Sequence, residues 1–112
     1  MKTEFSCVLE EEKLQEAYKI FFGTLVSTNR LKILNLIRDK ELCVNEIVEK
    51  SGIEQTHISH DLARLKRCGF IEERREGKYR YYSINEETIK PLLEVIDKHM
   101  KGNCIHILEG GR

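Results

Sequence analysis

The 112-residue chain lacks most of the features that mark a specialised class of protein. It has a single proline, no low-complexity tract and no linker rich in Pro, Gly or Ser, which excludes a collagen-like or disordered chain. No apolar run approaches the roughly 18 residues that a transmembrane helix needs. Residues 1–9 contain Glu4 and no long apolar run, so they do not resemble a signal peptide. We therefore expect one cytoplasmic domain, since domains commonly have about 100–150 residues.

The motifs of common catalytic and structural sites are also missing. The four cysteines are far apart and no Cys-x-x-Cys occurs, so a closed structural zinc site is not expected. In a reducing cytoplasm we expect these cysteines to be thiols, metal ligands or redox sensors before disulfides. There is no Gly-rich phosphate loop, no His-Glu-x-x-His and no nucleophile elbow. We therefore do not expect an enzyme.

The chain lacks a net charge, because 19 Lys and Arg residues balance 19 Asp and Glu residues. A zero net charge argues against a nucleic-acid partner, whose binding surface is usually basic. The charge is separated along the chain, however. Residues 64–80 hold seven cations and three acids, a net charge of +4, and the other residues together carry −4. We therefore expect a basic surface on a mildly acidic body.

Apolar residues recur at three- and four-residue spacing in five segments, which predicts five helices. Gly23, Gly52 and Gly69 are expected to end the first, third and fourth of them. Pro91 is expected in or near the first turn of the fifth, where its missing N–H breaks no helical hydrogen bond. The predicted helices span residues 10–22, 28–39, 44–51, 54–68 and 89–100.

Between residues 70 and 84 the apolar period falls to two, which predicts two β-strands. Glu76 and Gly77 lie midway and indicate a tight turn, so the segment is expected to form a β-hairpin. Tyr82 shares its phase with Ile84 and is expected to pack on the core. The chain is therefore predicted to be mainly α with a small β-hairpin, in the order α-α-α-α-β-β-α.

Only Ser51, Gly52 and Ile53 separate the third and fourth predicted helices, which is typical of a helix-turn-helix, here spanning residues 44–68. Such a unit places its second helix in the major groove of DNA, where base edges differ in their donors and acceptors. The alternative is an ordinary amphipathic helix with a solvated face. The candidate DNA-contacting side chains on this helix, opposite or flanking its apolar stripe, are Gln55, Thr56, His57, Ser59, His60, Arg64 and Arg67.

The predicted hairpin is basic on both sides of its turn. A basic hairpin directly after a recognition helix is typical of a wing, which contacts the DNA backbone or the minor groove. The alternative is a solvated strand pair in which Glu72, Glu73 and Glu76 balance the cations. The candidate DNA contacts of the wing are Arg74, Arg75, Lys78 and Arg80.

Four motifs follow one another along the chain: ELCVNEI at 41–47, QTHISHDL at 55–62, LKRCGFI at 65–71 and RREGKYRYYSI at 74–84. Taken in this order, they resemble the ArsR/SmtB family of bacterial and archaeal winged-helix repressors. The resemblance extends over about residues 25–100. It implies a homodimer that binds an imperfect palindrome in DNA and releases it when a metal ion, a metalloid or another signal binds. Two positions depart from the family pattern: His57 stands where a small hydroxyl residue is common, and Asp61 follows Ser59-His60 where relatives often have a second histidine. We expect Asp61 to bring a negative charge near the DNA.

A homodimer is expected on physical grounds as well. The apolar stripes of the first and last predicted helices exceed what one small core can absorb, and two-fold symmetry would pair them. A palindromic operator with half-sites about 34 Å apart would follow. The predicted organisation is a single winged-helix DNA-binding domain over residues 1–112, with an arm at 1–9, the wing at 70–84, and a C-terminal dimerisation helix and tail at 86–112.

Ligand-type residues near the arm, the third helix and the tail make an effector site a hypothesis. The resemblance implies thiolate ligands at the start of the third helix, where Cys43 fits but Asn45 replaces a second cysteine. Cys7 of the arm is the other candidate thiolate, and zinc, cadmium and arsenic(III) are the candidate ions. The alternatives are a buried core role for Cys43 and a frayed polar tail. The candidate ligands in the tail are Cys104, His106 and Glu109.

A winged-helix module that binds protein, without an effector or specific DNA binding, is the main rival to a DNA-binding regulator. The two differ in their expected response to salt, because neutralising phosphates makes DNA affinity fall steeply as salt rises. The concentration of basic charge on the fourth helix and the hairpin favours DNA.

Overall fold

A computed structural model describes residues 10–104. Within this range the chain forms five helices and three short strands, and no helix is both long and apolar enough to cross a membrane. In chain order, the elements are α1 (Glu11–Leu25), α2 (Thr28–Leu36), β1 (Leu42–Cys43), α3 (Val44–Ser51), α4 (Gln55–Arg67), β2 (Ile71–Glu76), β3 (Tyr79–Ile84) and α5 (Ile89–Gly102).

The predicted hairpin is confirmed. Strands β2 and β3 pair antiparallel, with Arg75 opposite Arg80, and turn at Gly77, whose φ of 62° lies in the left-handed region that glycine adopts most readily. The sequence prediction omitted β1, which adds a third strand on the other side of β3 and pairs Leu42 with Tyr82. The observed order is therefore α-α-β-α-α-β-β-α. The sequence did not indicate β1, because a two-residue strand is too short to show a period.

The predicted ends of the first two helices were wrong. Helix α1 continues through Gly23 to Leu25, since one glycine costs a helix only about 1 kcal/mol. Ser27 then begins α2 as its N-cap, its hydroxyl accepting a hydrogen bond from the Arg30 N–H at 3.3 Å. Helix α2 ends at Leu36 instead of residue 39, and the chain bends before it enters β1.

The core lies between the helices and one face of the sheet. It is built from apolar residues at helical spacing on α2, α3 and α4 and at alternate positions on the strands. Tyr82 packs in it, as its phase predicted, and Pro91 lies in the first turn of α5. The buried hydrophobic residues are Ile33, Leu34, Ile37, Leu42, Ile47, Ile58, Leu62, Leu65, Phe70, Ile71, Tyr82, Ile84, Ile89 and Leu93.

Candidate nucleic-acid interface

The turn between α3 and α4 has the geometry that the sequence predicted. Gly52 ends α3 with a φ of 74°, and its N–H donates to the Val48 carbonyl at 2.9 Å. The Ser51 hydroxyl accepts a hydrogen bond from the Ile53 N–H at 3.0 Å and so fixes the next step of the chain. A left-handed residue followed by this side-chain turn reverses the chain within three residues. Helix α4 therefore packs across α3 as the second helix of a helix-turn-helix.

The N-terminal half of α4 presents a free polar face. Ile58, Leu62 and Leu65 are buried, as the helical wheel predicted. The opposite face holds donors and acceptors near the helix N-terminus, the end that usually contacts base edges. The exposed candidate side chains on α4 are Gln55, Thr56, His57, Ser59, His60 and Arg67.

Arg64 was predicted to point outward with them, but it is half-buried. Its Nε donates to the Thr24 hydroxyl at 3.3 Å, and Thr24 is a fully buried residue near the end of α1. The Thr24 hydroxyl in turn donates to the Ile20 carbonyl at 2.9 Å. Arg64 therefore connects the recognition helix to α1, which the sequence could not show because the contact joins residues 40 apart.

The expectation that Asp61 brings a negative charge near the DNA is wrong. Asp61 is buried, with 7% of its surface exposed, and its Oδ1 accepts a hydrogen bond from Arg30 Nη1 at 3.2 Å. It lies three residues after Ile58 and four before Leu65, which places it on the buried stripe of α4. This spacing is visible in the sequence and could have predicted that Asp61 is buried. Its Oδ2 has no hydrogen-bond partner among residues 10–104.

Arg30 holds this carboxylate and the end of α1 together. Its Nε donates to the Thr24 carbonyl at 2.8 Å, and its Nη2 donates to the Gly23 carbonyl at 3.3 Å. One guanidinium thus satisfies two carbonyls of the last turn of α1 and the buried carboxylate of α4. This contact sets how the recognition helix lies against α1.

On the hairpin, Arg74 is paired with two acids. Its Nη2 lies 2.7 Å from Glu41 Oε1 and its Nη1 lies 2.8 Å from Glu76 Oε1. The hydrogen bonds to Glu41 and Glu76 raise the pKa of Arg74. The hydrogen bond from Arg74 lowers the pKa of Glu41. The guanidinium also lies over the Tyr81 ring, 4.8 Å from its centroid. Half of the Arg74 side chain is still exposed, so the cation stays accessible to solvent.

The other hairpin cations surround one carboxylate. Glu73 lies 2.7 Å from Lys66 Nζ and 3.6 Å from both Arg75 Nε and Arg80 Nε. The hydrogen bond from Lys66 lowers the pKa of Glu73, against the effect of burial. Lys78 is exposed beside the turn, its Nζ 5.7 Å from the centroid of the Tyr79 ring. Sequence reasoning identified the cations but did not find that Lys66 and Glu73 link α4 to the hairpin.

The candidate metal ligands do not converge within the described range. No group of three or more His, Cys, Asp or Glu residues that could hold a metal ion occurs in residues 10–104. Cys43 is half-buried before α3, where its N–H donates to Glu46 Oε1 at 3.0 Å and lowers the pKa of that carboxyl. Cys104 is exposed after α5. The predicted ligands that lie outside the described residues are Cys7, His106 and Glu109.

Together, a helix-turn-helix with a free polar face and an antiparallel basic hairpin define a winged helix-turn-helix protein. The model of the family described as bacterial regulatory protein, arsR family, matches residues 27–73. The chain belongs to this family of transcriptional regulators, and the resemblance seen in the sequence is confirmed.

Two mycobacterial proteins are similar to most of this chain. The HTH-type transcriptional regulator Rv0081 of Mycobacterium tuberculosis is 34% identical over 91 residues, 80% of each chain. Its crystal structure superposes with a TM-score of 0.76 over 89% of this chain and 99% of that one. The homodimeric winged helix-turn-helix DNA-binding domain of Mb0332 from Mycobacterium bovis is 29% identical, with a TM-score of 0.76, over 88% of this chain and 94% of that one.

One further relative has a name that refers to a metal. The cadmium resistance transcriptional regulatory protein CadC of Listeria innocua is 31% identical over 103 residues, which cover 82% of this chain and 87% of CadC.

Proposed function

We propose that the chain is a homodimeric repressor that binds a palindromic DNA operator. The observation that carries this proposal is the free polar face at the start of α4, which lies beside a hairpin that contributes exposed cations. The alternative, an amphipathic helix with a solvated face, does not account for the basic hairpin beside it. The proposal supplies a partner for both surfaces at once, because DNA offers base edges in its groove and phosphates on either side.

The two surfaces have different roles in this proposal. Gln55, Thr56, His57, Ser59 and His60 face base edges in the major groove, where amide and hydroxyl groups can distinguish bases. The cations bind phosphates and orient the protein without reading sequence. Arg64 is assigned an orienting role through Thr24, in place of a direct contact. The proposed phosphate-binding residues are Arg67, Arg74, Arg75, Lys78 and Arg80.

The dimer is proposed to form through α1 and α5. Helix α1 leaves Tyr18 and Phe22 more than half exposed, and Val26 just beyond it is 79% exposed. On α5, Val95 is 65% exposed. Exposed apolar side chains of this size favour an interface, and a second copy of the chain would cover the same residues on both partners. The homodimeric state of the related Mb0332 domain supports this choice of occupant.

A metal, metalloid or thiol-oxidation signal is proposed to weaken DNA binding, through some subset of Cys7, Cys43, Cys104 and His106. The name of the related cadmium resistance protein CadC supports a metal. Cys43 and Cys104 cannot complete a three-ligand site with residues 10–104 alone, so any such site requires ligands from the arm, the tail or a second copy. The ions to test are the candidates that the ligand types indicate, namely zinc, cadmium and arsenite.

Selection of bound duplexes from a random pool tests the proposal, with and without the three ions and an oxidant. We expect enrichment of a sequence with two-fold symmetry, bound by two copies of the chain. An ion or oxidant that acts as the signal should shift the affinity by a coupling of about 1 kcal/mol or more. Failure to enrich any duplex would overturn the proposed function and favour the protein-binding module.

A further inference from the structure

Glu73 lies at the junction between the recognition helix and the wing. Its side chain is only 10% exposed, although its neighbours on the hairpin point to solvent. It lines a cleft of about 300 Å³ between α4 and the hairpin, together with Ser59, Lys66 and Arg80. The cleft is therefore lined by one carboxylate and two cations, of which Arg80 is a proposed phosphate-binding residue.

The cations around Glu73 repel one another. Arg75 and Arg80 are directly opposite across β2 and β3, a register in which like charges destabilise a strand pair. Lys66 approaches the same carboxylate from the last turn of α4. Glu73 thus offsets one of three positive charges. Its Oε2 lies 3.6 Å from both Arg75 Nε and Arg80 Nε, so one oxygen holds the two arginines close together. We call Lys66, Glu73, Arg75 and Arg80 the Glu73 cluster.

A DNA phosphate would bind the same cations by the same chemistry. Carboxylate and phosphate oxygens both accept charge-assisted hydrogen bonds from Arg and Lys. Each cation that Glu73 engages is less available to a phosphate, and part of the binding energy must replace the ion pairs that are lost. This competition acts on the backbone contacts, which supply almost all of the affinity for random DNA.

We propose that Glu73 is an internal competitor of the DNA backbone and so limits the affinity of the protein for DNA of any sequence. This inference rests on the proposed DNA-binding function. It explains why a chain with five exposed candidate cations on α4 and the hairpin also places an acid in their midst. Glu73 is a positioning residue: it acts on DNA only through Lys66, Arg75 and Arg80.

The test compares Glu73→Gln with Glu72→Gln on a duplex of random sequence. Both substitutions remove one negative charge from adjacent positions of β2, but Glu72 is exposed on the other face of the strand. Freeing one cation per protomer should steepen the slope of log affinity against log salt by about 0.9 for each protomer, or about 1.8 for the dimer. At about 0.1 M salt this corresponds to about sixtyfold tighter binding by the dimer. Glu72→Gln should change both quantities much less.

Equal effects of Glu73→Gln and Glu72→Gln, or weaker binding by Glu73→Gln, would overturn the inference. If the wild-type chain binds no duplex, the proposed function fails first, so the two failures are distinguishable. Should Glu73→Gln not fold, Glu73→Asp keeps the charge but withdraws it by one methylene. That variant should give an intermediate rise in affinity, and wild-type affinity in it would contradict the inference.

Discussion

The ion pair beneath α4 and the ion pairs on the hairpin use the same groups in different surroundings. Arg30 and Asp61 have side chains that are 17% and 10% exposed, whereas Arg74 and Glu41 on the outer side are 50% and 36% exposed. The inner guanidinium also donates to two backbone carbonyls of α1. The outer guanidinium faces solvent and an aromatic ring.

This difference in exposure gives the two arginine–carboxylate pairs different roles. A buried pair resists change, since removing one partner leaves an uncompensated charge in a medium that solvates it poorly. An exposed pair is weak and easily exchanged, because water and salt screen it. The inner pair therefore fixes the position of the recognition helix, and the outer cations are free to exchange their carboxylates for phosphates.

Removing the inner carboxylate is expected to have the largest effect. Asp61→Ala leaves the Arg30 guanidinium without its buried partner and should lower the free energy of unfolding by roughly 3–5 kcal/mol. Chemical denaturation monitored by circular dichroism measures this change. The double variant Arg30→Met/Asp61→Leu removes both charges and should recover part of the loss, since an apolar pair of similar volume often replaces a buried ion pair without cost. The recovery should be incomplete because the Thr24 and Gly23 carbonyls lose the donors that Arg30 provides. A single variant as stable as the wild type would show that the pair does not hold α4.

The next effect concerns base recognition at the free face. Gln55→Ala removes an amide that can contact a base edge, without touching the core. We expect the preference for the selected operator over single-base variants to fall by about 1–3 kcal/mol at one position. Competition binding with a set of point-mutated duplexes measures it, and affinity for random DNA in the same variant is the control. Unchanged preference at every position would exclude Gln55 from base contact.

A smaller and uniform effect is expected from one outer cation. Arg75→Ala should weaken binding to all sequences alike and reduce the salt slope by about one for each protomer bound, because each copy of the chain loses one phosphate contact. Fluorescence anisotropy at several salt concentrations gives both values. Lys13→Ala on α1 removes the same charge far along the chain from the hairpin and should leave the slope unchanged. If Arg75→Ala altered the preference among bases but not the slope, its assignment to the backbone would be wrong.

The smallest expected effect is the loss, at acidic pH, of the stability that the Glu73 cluster contributes. Lys66 lowers the pKa of Glu73 from its ordinary value of 4.5, so the ion pairs stabilise the fold above that pH and are lost as pH falls through the lowered pKa. The difference in melting temperature between the wild type and Glu73→Gln should therefore be constant near neutral pH and shrink below about pH 4.5. Thermal melts across this range measure the difference. A difference that grows on acidification would contradict the sign of the shift.

The sequence was sufficient for features that depend on local periodicity. Ile58, Leu62 and Leu65 define the buried stripe of α4, and Gly52 and Gly77 mark turns that adopt positive φ. These signals act within a few residues, so a single sequence carries them. The helix-turn-helix and the hairpin follow from them.

What the sequence did not show depends on contacts between distant residues. The two residues of β1 pair with β3 about 40 positions later, and Arg64 turns inward to reach Thr24. Glu73 looked like one of three acids that balance a solvated hairpin, yet only the fold brings Lys66 to it across the junction of α4 and β2. The charge count over residues 64–80 was correct as a sum, but it did not show which cations are already paired.

Binding of a duplex at increasing salt tests the central claim most directly, namely that the cations of α4 and the hairpin exchange their protein partners for DNA phosphates. Each copy of the chain offers five exposed candidate cations on α4 and the hairpin, so a dimer offers ten. If only half of them neutralise phosphates, the slope of log affinity against log salt is about −4.5. We predict a slope at least this steep for random and selected duplexes alike, with a higher affinity for the selected one. A flat slope would contradict the account and show that this face does not bind DNA.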